Sequence, residues 1–160
     1  MSFELTYENW KVGGRPLTER LRISLDAGSN LNKIEVRFEG AGVGDSLELA
    51  CGLVKRGNTL VSKDPRGRWL SLWGLTTDDT ANGCLGTGIV FVPRTSARFE
   101  EDRDQYLSIS TVSTGGPYVY YAGAGWTRSG DFPSGDAWKS YLAAFARRLS
   151  LPLKVTVKKN

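Results

Sequence analysis

The residues best suited to chemistry lie in Gly116–Asp131, which reads G-P-Y-V-Y-Y-A-G-A-G-W-T-R-S-G-D. Tyr118, Tyr120, Tyr121 and Trp126 supply flat aromatic faces, with Arg128 and Asp131 in a polar turn beside them. A sugar ring has an apolar C–H face and a rim of hydroxyls, so it stacks on such rings while polar neighbours take the hydroxyls. Trp69 and Trp73 add two rings, four residues apart and so on one face of a strand. Arg128 has the planar fork that holds a carboxylate in a bidentate pair, as recognition of a uronic acid needs. The competing use of Arg128 is an internal pair with Asp131 that fixes the turn. Lys55, beside Arg56 ahead of the turn at Gly57-Asn58, is a second cation for a substrate carboxylate; its plain alternative is a solvated turn position.

Elimination from a uronic acid needs a group that neutralises the carboxylate and a base for the C5 proton. Arg128 or Lys55 suits the first task. Tyr120 or Tyr121, with a pKa lowered by a neighbouring cation, suits the second and can protonate the leaving oxygen. The same rings serve equally in a binding module without catalysis, and most of them also suit a hydrophobic interior.

Other chemistries are poorly served. The chain has no histidine, which removes the commonest general base and transition-metal ligand. Cys51 and Cys84 are the two thiols, so no zinc site is expected. Both stand in apolar, strand-like contexts, open to either two buried thiols or a disulfide. No carboxylate pair stands out as the acid and base of a glycosidase. Glu100-Glu-Asp-Arg-Asp104 reads as a solvated loop whose spacing does not match an EF-hand. No phosphate loop, dinucleotide fingerprint or nucleophile elbow occurs, and no cofactor is expected. Net charge is +4, with cations scattered among acids, so nucleic acid is not the expected partner. No segment is apolar enough to span a bilayer, and no signal peptide is expected ahead of Phe3–Tyr7.

The elements that must position these residues are strands. At 160 residues the chain is expected to be one domain, 1–160. Period-two alternation runs through Phe3–Tyr7, Leu21–Leu25 and Ile34–Phe38, and the last two are expected to form an antiparallel hairpin across Asp26–Asn30. Gly40–Asp45 is the next turn. Leu47–Lys55, Arg68–Trp73, Leu85–Val92, Tyr106–Val112 and Tyr118–Ala122 read as further strands, and alternation at Leu153, Val155 and Val157 predicts a closing one. Gly86-Thr-Gly88 reads as close backbone packing. Trp138, Tyr141, Leu142, Phe145 and Leu149 form a single helical stripe over Ser134–Leu149. Ser134 or Asp136 starts that helix and Pro152 stops it. The whole predicts a mainly β domain, an antiparallel β-sandwich or distorted barrel with one C-terminal amphipathic helix near 135–149.

The ordered succession Leu25–Asn32, Gly52–Arg56, Gly67–Leu70, Leu85–Gly88 and Tyr120–Phe132 resembles the C-terminal half of an uncharacterised bacterial family, a domain of unknown function found beside or fused to enzymes that degrade pectin and other uronic-acid polysaccharides. The resemblance implies a half of a galactose mutarotase-like supersandwich, an acidic poly- or oligosaccharide as partner, and a secreted or periplasmic location. It also implies that half of the cleft is missing, which would leave an apolar face and favour a homodimer or higher oligomer. On that reading Tyr120, Tyr121 and Arg128 would act on the substrate, by lyase or hydrolase chemistry, and Lys55, Trp69, Trp73, Trp126 and Asp131 would bind it.

Overall fold

Ten strands are described, and every pairing between them is antiparallel. The structure is a computed structural model that describes residues 1–40, 46–57, 59–66, 68–93, 97–153 and 155–156. The strands are β1 (Ser2–Val12), β2 (Arg15–Ser24), β3 (Leu31–Glu39), β4 (Ser46–Val54), β5 (Leu60–Asp64), β6 (Trp69–Leu75), β7 (Cys84–Phe91), β8 (Ala97–Glu101), β9 (Gln105–Ser113) and β10 (Tyr118–Trp126), followed by helix α1 (Gly135–Ser150). Seven strands form one sheet in the order β1-β2-β3-β10-β7-β6-β5, and three form a second in the order β4-β9-β8. The sheets stay open, so the molecule is a β-sandwich and not a barrel.

The two faces of the large sheet are covered by different elements. On one, Val36, Phe38, Ile89 and Phe91 meet Cys51 and Val112 of the small sheet. On the other, α1 lays Trp138, Leu142 and Ala146 against Trp69, Val90 and Leu31. Alternation explains the division: Leu70 and Leu72 are buried on the inter-sheet side, while Trp69 and Trp73 point towards the helix. Ser134 caps α1 by accepting the Ala137 N–H at 3.2 Å, and Asp136 and Arg147/Arg148 match the helix dipole.

The glycines of β7 and β10 form the socket of that helix. A Cβ at Gly86 would come within 2.6 Å of the Trp138 ring, one at Gly88 within 2.8 Å of Leu142, and one at Gly125 within 2.4 Å of Phe132. The spacing Gly86-Thr-Gly88 is therefore close packing, but against a helix side chain.

The expected hairpin is present, with β2 paired to β3. Two expectations at the element level need correction, and one strand was not foreseen. Residues Leu60–Asp64 and Ala97–Glu101 are strands β5 and β8, so the acidic run begins in a strand and is not wholly a loop. Leu151–Leu153 and 155–156 form no strand, and Leu151, Leu153 and Val155 are exposed. Alternation alone cannot make a strand without a neighbour to pair with. The turn expected at Gly40–Asp45 lies outside the described residues from 41 onward, as do Asn58 and the closing residues 154 and 157–160.

The small sheet covers the middle of the large one and leaves the β1 side bare. β1 is an eleven-residue edge strand, and Phe3, Leu5, Tyr7 and Trp10 remain 39–49 % exposed.

Candidate functional site

The sequence-selected residues do not converge on one site. Tyr120 stands between the sheets against the Cys51 thiol, and burial pushes its pKa well above the usual phenol value. Tyr118 beside it donates to Ser110 Oγ at 3.0 Å and is raised for the same reason. This is the opposite of the lowered pKa that a tyrosine base needs. Tyr121 is on the far face, edge-on to Phe145 at 4.9 Å. Adjacent strand residues point to opposite sides, so the two tyrosines cannot serve one cleft.

Arg128 donates to the Ala81 carbonyl at 2.6 Å, Trp126 Nε1 donates to the Asn82 carbonyl at 2.7 Å, and Ser129 Oγ bonds Asp131 at 3.3 Å. The Arg128 and Trp126 bonds clamp the short 3-10 turn Thr80–Asn82 onto the end of β10. Arg128 thus serves the loop, through backbone and not through Asp131. Lys55 pairs with Glu101 at 2.6 Å and lies 4.8 Å over the Tyr106 ring, on the small sheet. Trp73 packs against the start of α1. Trp69 is buried under the end of α1, and its Nε1 has no partner among the described residues. Cys51 and Cys84 are free, and burial pushes the Cys51 thiol up to about 11.

A different set of residues does converge. Tyr7, Glu8, Trp10 and Glu19 line a groove of about 340 Å³ on the bare side of the large sheet. A β-bulge builds it. Tyr7 pairs with Glu19 and Trp10 with Leu17, so β1 uses one more residue than β2 over that step. Asn9 absorbs the irregularity at φ 57°, in the left-handed region that asparagine tolerates. The extra residue turns Trp10 to the same face as Tyr7, although the two are three positions apart. Trp10 then leans on Phe38, ring centroids 6.3 Å apart.

Glu19 is opposite Tyr7 on one side and Phe38 on the other. It is half-buried, forms no hydrogen bond or ion pair among the described residues, and has its pKa raised by burial. A carboxyl in this state offers unused acceptor positions to a ligand. The groove therefore presents two aromatic faces and two carboxyl groups. No sequence signal marked it, because the bulge that aligns Tyr7 with Trp10 breaks the period-two reading.

Among the described residues no group of acids and thiols could hold a metal ion, and no helix is long and apolar enough to cross a membrane.

With sandwich and groove in view, comparison with known proteins defines the class. The chain belongs to the family described as a domain of unknown function, DUF4861, whose model matches residues 1–155. It is similar to the protein called "Uncharacterized protein P7" of Formosa agariphila, at 28 % identity over 163 residues. That match covers 98 % of this chain and 39 % of the relative, so the chain spans about two-fifths of the length of the curated relative it matches. No solved structure matches it. The expected membership of an uncharacterised family is thereby shown.

Proposed function

We propose that this chain is a carbohydrate-binding unit of a larger sandwich, whose ligand is an acidic poly- or oligosaccharide. The observation that carries the sugar reading is the Tyr7–Trp10 pair standing exposed beside the unpaired Glu19 carboxyl. Trp10 offers a face to the C–H side of a pyranose, and Glu19 and Glu8 accept its hydroxyls. Two carboxyl groups repel a uronate, so the groove takes a neutral unit and leaves the acidic units elsewhere on the protein. Binding is favoured over lyase or hydrolase chemistry for two reasons. The groove is open, and the raised Tyr120 lies between the sheets beside the buried Cys51 thiol.

The test is a glycan array of neutral and anionic plant and algal oligosaccharides, followed by titration calorimetry on the hits. Trp10→Ala is expected to weaken a bound oligosaccharide about tenfold, the equivalent of about 1.4 kcal/mol. Silence across the array, or affinity indifferent to Trp10→Ala, would remove the proposal.

A second reading has its own observation. The free edge of β1 and its row of Phe3, Leu5, Tyr7 and Trp10 suit pairing with a second copy, giving the homodimer or higher oligomer that the resemblance implies. Sedimentation equilibrium separates the two: dimerisation abolished by Trp10→Ala supports this reading, and a monomer at high concentration removes it.

A further inference from the structure

A second cavity, of about 390 Å³, lies at the opposite edge of the large sheet on its helix side. Arg66 and Arg68 ahead of β6, Trp69 at its start, and Arg147 and Ser150 of α1 line it, together with Asp64. The three guanidinium groups enter no ion pair among the described residues. Arg68 donates one Nη to Ser150 Oγ, which itself bonds the Ala146 carbonyl at 3.0 Å.

Two donors here have no acceptor among the described residues. Trp69 is 8 % exposed, and its Nε1–H is without such a partner, as is the buried Arg68 Nε–H. An unmet buried donor costs about 1–3 kcal/mol, so such a pair at one cavity calls for an acceptor. Asp64 brings one carboxylate to the cavity, where it accepts the Arg66 backbone N–H at 3.0 Å, so the three guanidinium groups still exceed it in charge. Arg68 is moreover held at φ 58°, a backbone state that a non-glycine residue adopts at some cost. The negative end of α1 opposes an anion, but the Leu151 N–H donates to the Arg147 and Arg148 carbonyls at 3.1 and 3.3 Å.

We propose that this cavity is a binding site for an oxyanion, held by the guanidinium forks of Arg68, Arg66 and Arg147 and by the indole N–H of Trp69. Carboxylate and sulfate share the required chemistry: planar or tetrahedral oxygens that match the Arg fork. The site stands on its own donors and does not depend on the groove at Trp10. If the chain also binds an acidic saccharide, this is where an acidic unit would be read.

The experiment is a titration of the full chain followed by the Trp69 indole N–H resonance, assigned with Trp69→Phe. The probes are sodium sulfate and D-galacturonic acid, with D-galactose as the neutral control and sodium chloride at matched ionic strength. The expected result is a saturable shift with sulfate or galacturonate, none with galactose, and an affinity about tenfold weaker in Arg147→Gln. Arg147 is exposed on the helix, so that variant keeps the fold. Saturation by galacturonate but not sulfate assigns the site to a saccharide carboxylate; saturation by both assigns it to oxyanions in general. A shift no larger than with chloride, or one unchanged in Arg147→Gln, overturns the proposal. The groove carries none of the observed signal, so failure here leaves the saccharide reading to its own test.

Discussion

Replacing Gly125 by alanine isolates the packing of the helix on the sheet. The added Cβ would lie 2.4 Å and 2.8 Å from two Phe132 ring carbons and 2.8 Å from Trp138 Cε3. Carbon atoms rest about 3.5–4.0 Å apart, so one methyl group overlaps two rings by about 1 Å. Neither ring can turn aside freely. Phe132 stands edge-on to Trp138 at 4.9 Å and to Tyr141 at 5.2 Å, and Trp138 donates its Nε1–H to the Thr87 carbonyl at 3.3 Å. Gly125 is not in the left-handed region, so alanine brings no backbone strain and the cost is steric alone. Overpacking of this kind costs about 1–3 kcal/mol. At about 2–4 °C per kcal/mol for a domain of this size, the melting temperature falls by roughly 2–12 °C. The assay is urea unfolding and a thermal scan, with Gly116→Ala as control because nothing lies within 4 Å of a Cβ there. The urea midpoint should drop with an unchanged slope. In a Trp138→Leu background the penalty should shrink, since the two sites share one contact. A Gly125→Ala protein within about one degree of the control would refute this seating of the helix.

Three further outcomes follow from the same geometry. Glu19→Gln should stabilise the protein at neutral pH and make no difference in acid. The raised Glu19 pKa means that the folded state prefers the protonated acid, so stability is whole below the ordinary value of 4.5 and is lost as pH rises through the folded value. Denaturant midpoints of both proteins between pH 3 and 8 check this, and parallel curves would contradict it. Ser134→Ala removes the cap on Ala137 and should cost about 0.5–2 kcal/mol, read by the same unfolding assay. Cys51, buried and raised to about 11, should resist a thiol reagent at pH 8 in the native protein and react once urea unfolds it; rapid native labelling of Cys51 would contradict its burial.

Local pattern and tertiary geometry contributed differently to this protein. Alternation at Leu21–Leu25 and Ile34–Phe38 is enough to place a hairpin, because one buried face demands period two. The Trp138–Leu149 stripe and the Ser134 cap likewise mark the helix, since a single apolar stripe at period 3.6 and an N-cap are local signals. Membership of a mainly β sandwich follows from many short strands and one helix. Leu60–Asp64 escaped that reading because a short edge strand needs a neighbour more than a pattern.

The uses of the chemical residues were settled only by tertiary structure. The opposite faces of Tyr120 and Tyr121 follow from alternation alone, but composition could not tell that Arg128 holds a carbonyl of the Thr80–Asn82 turn, or that Trp69 ends with a donor unmet among the described residues beside three arginines. The groove depends on one bulge residue, and the second cavity on the meeting of residues about eighty positions apart in the chain. Secondary structure is set by neighbours in sequence, whereas a site is set by which distant side chains the sheet order brings together. Sequence alone therefore determined most of the elements and the absence of histidine; the sheet order β1-β2-β3-β10-β7-β6-β5 decided which distant side chains meet.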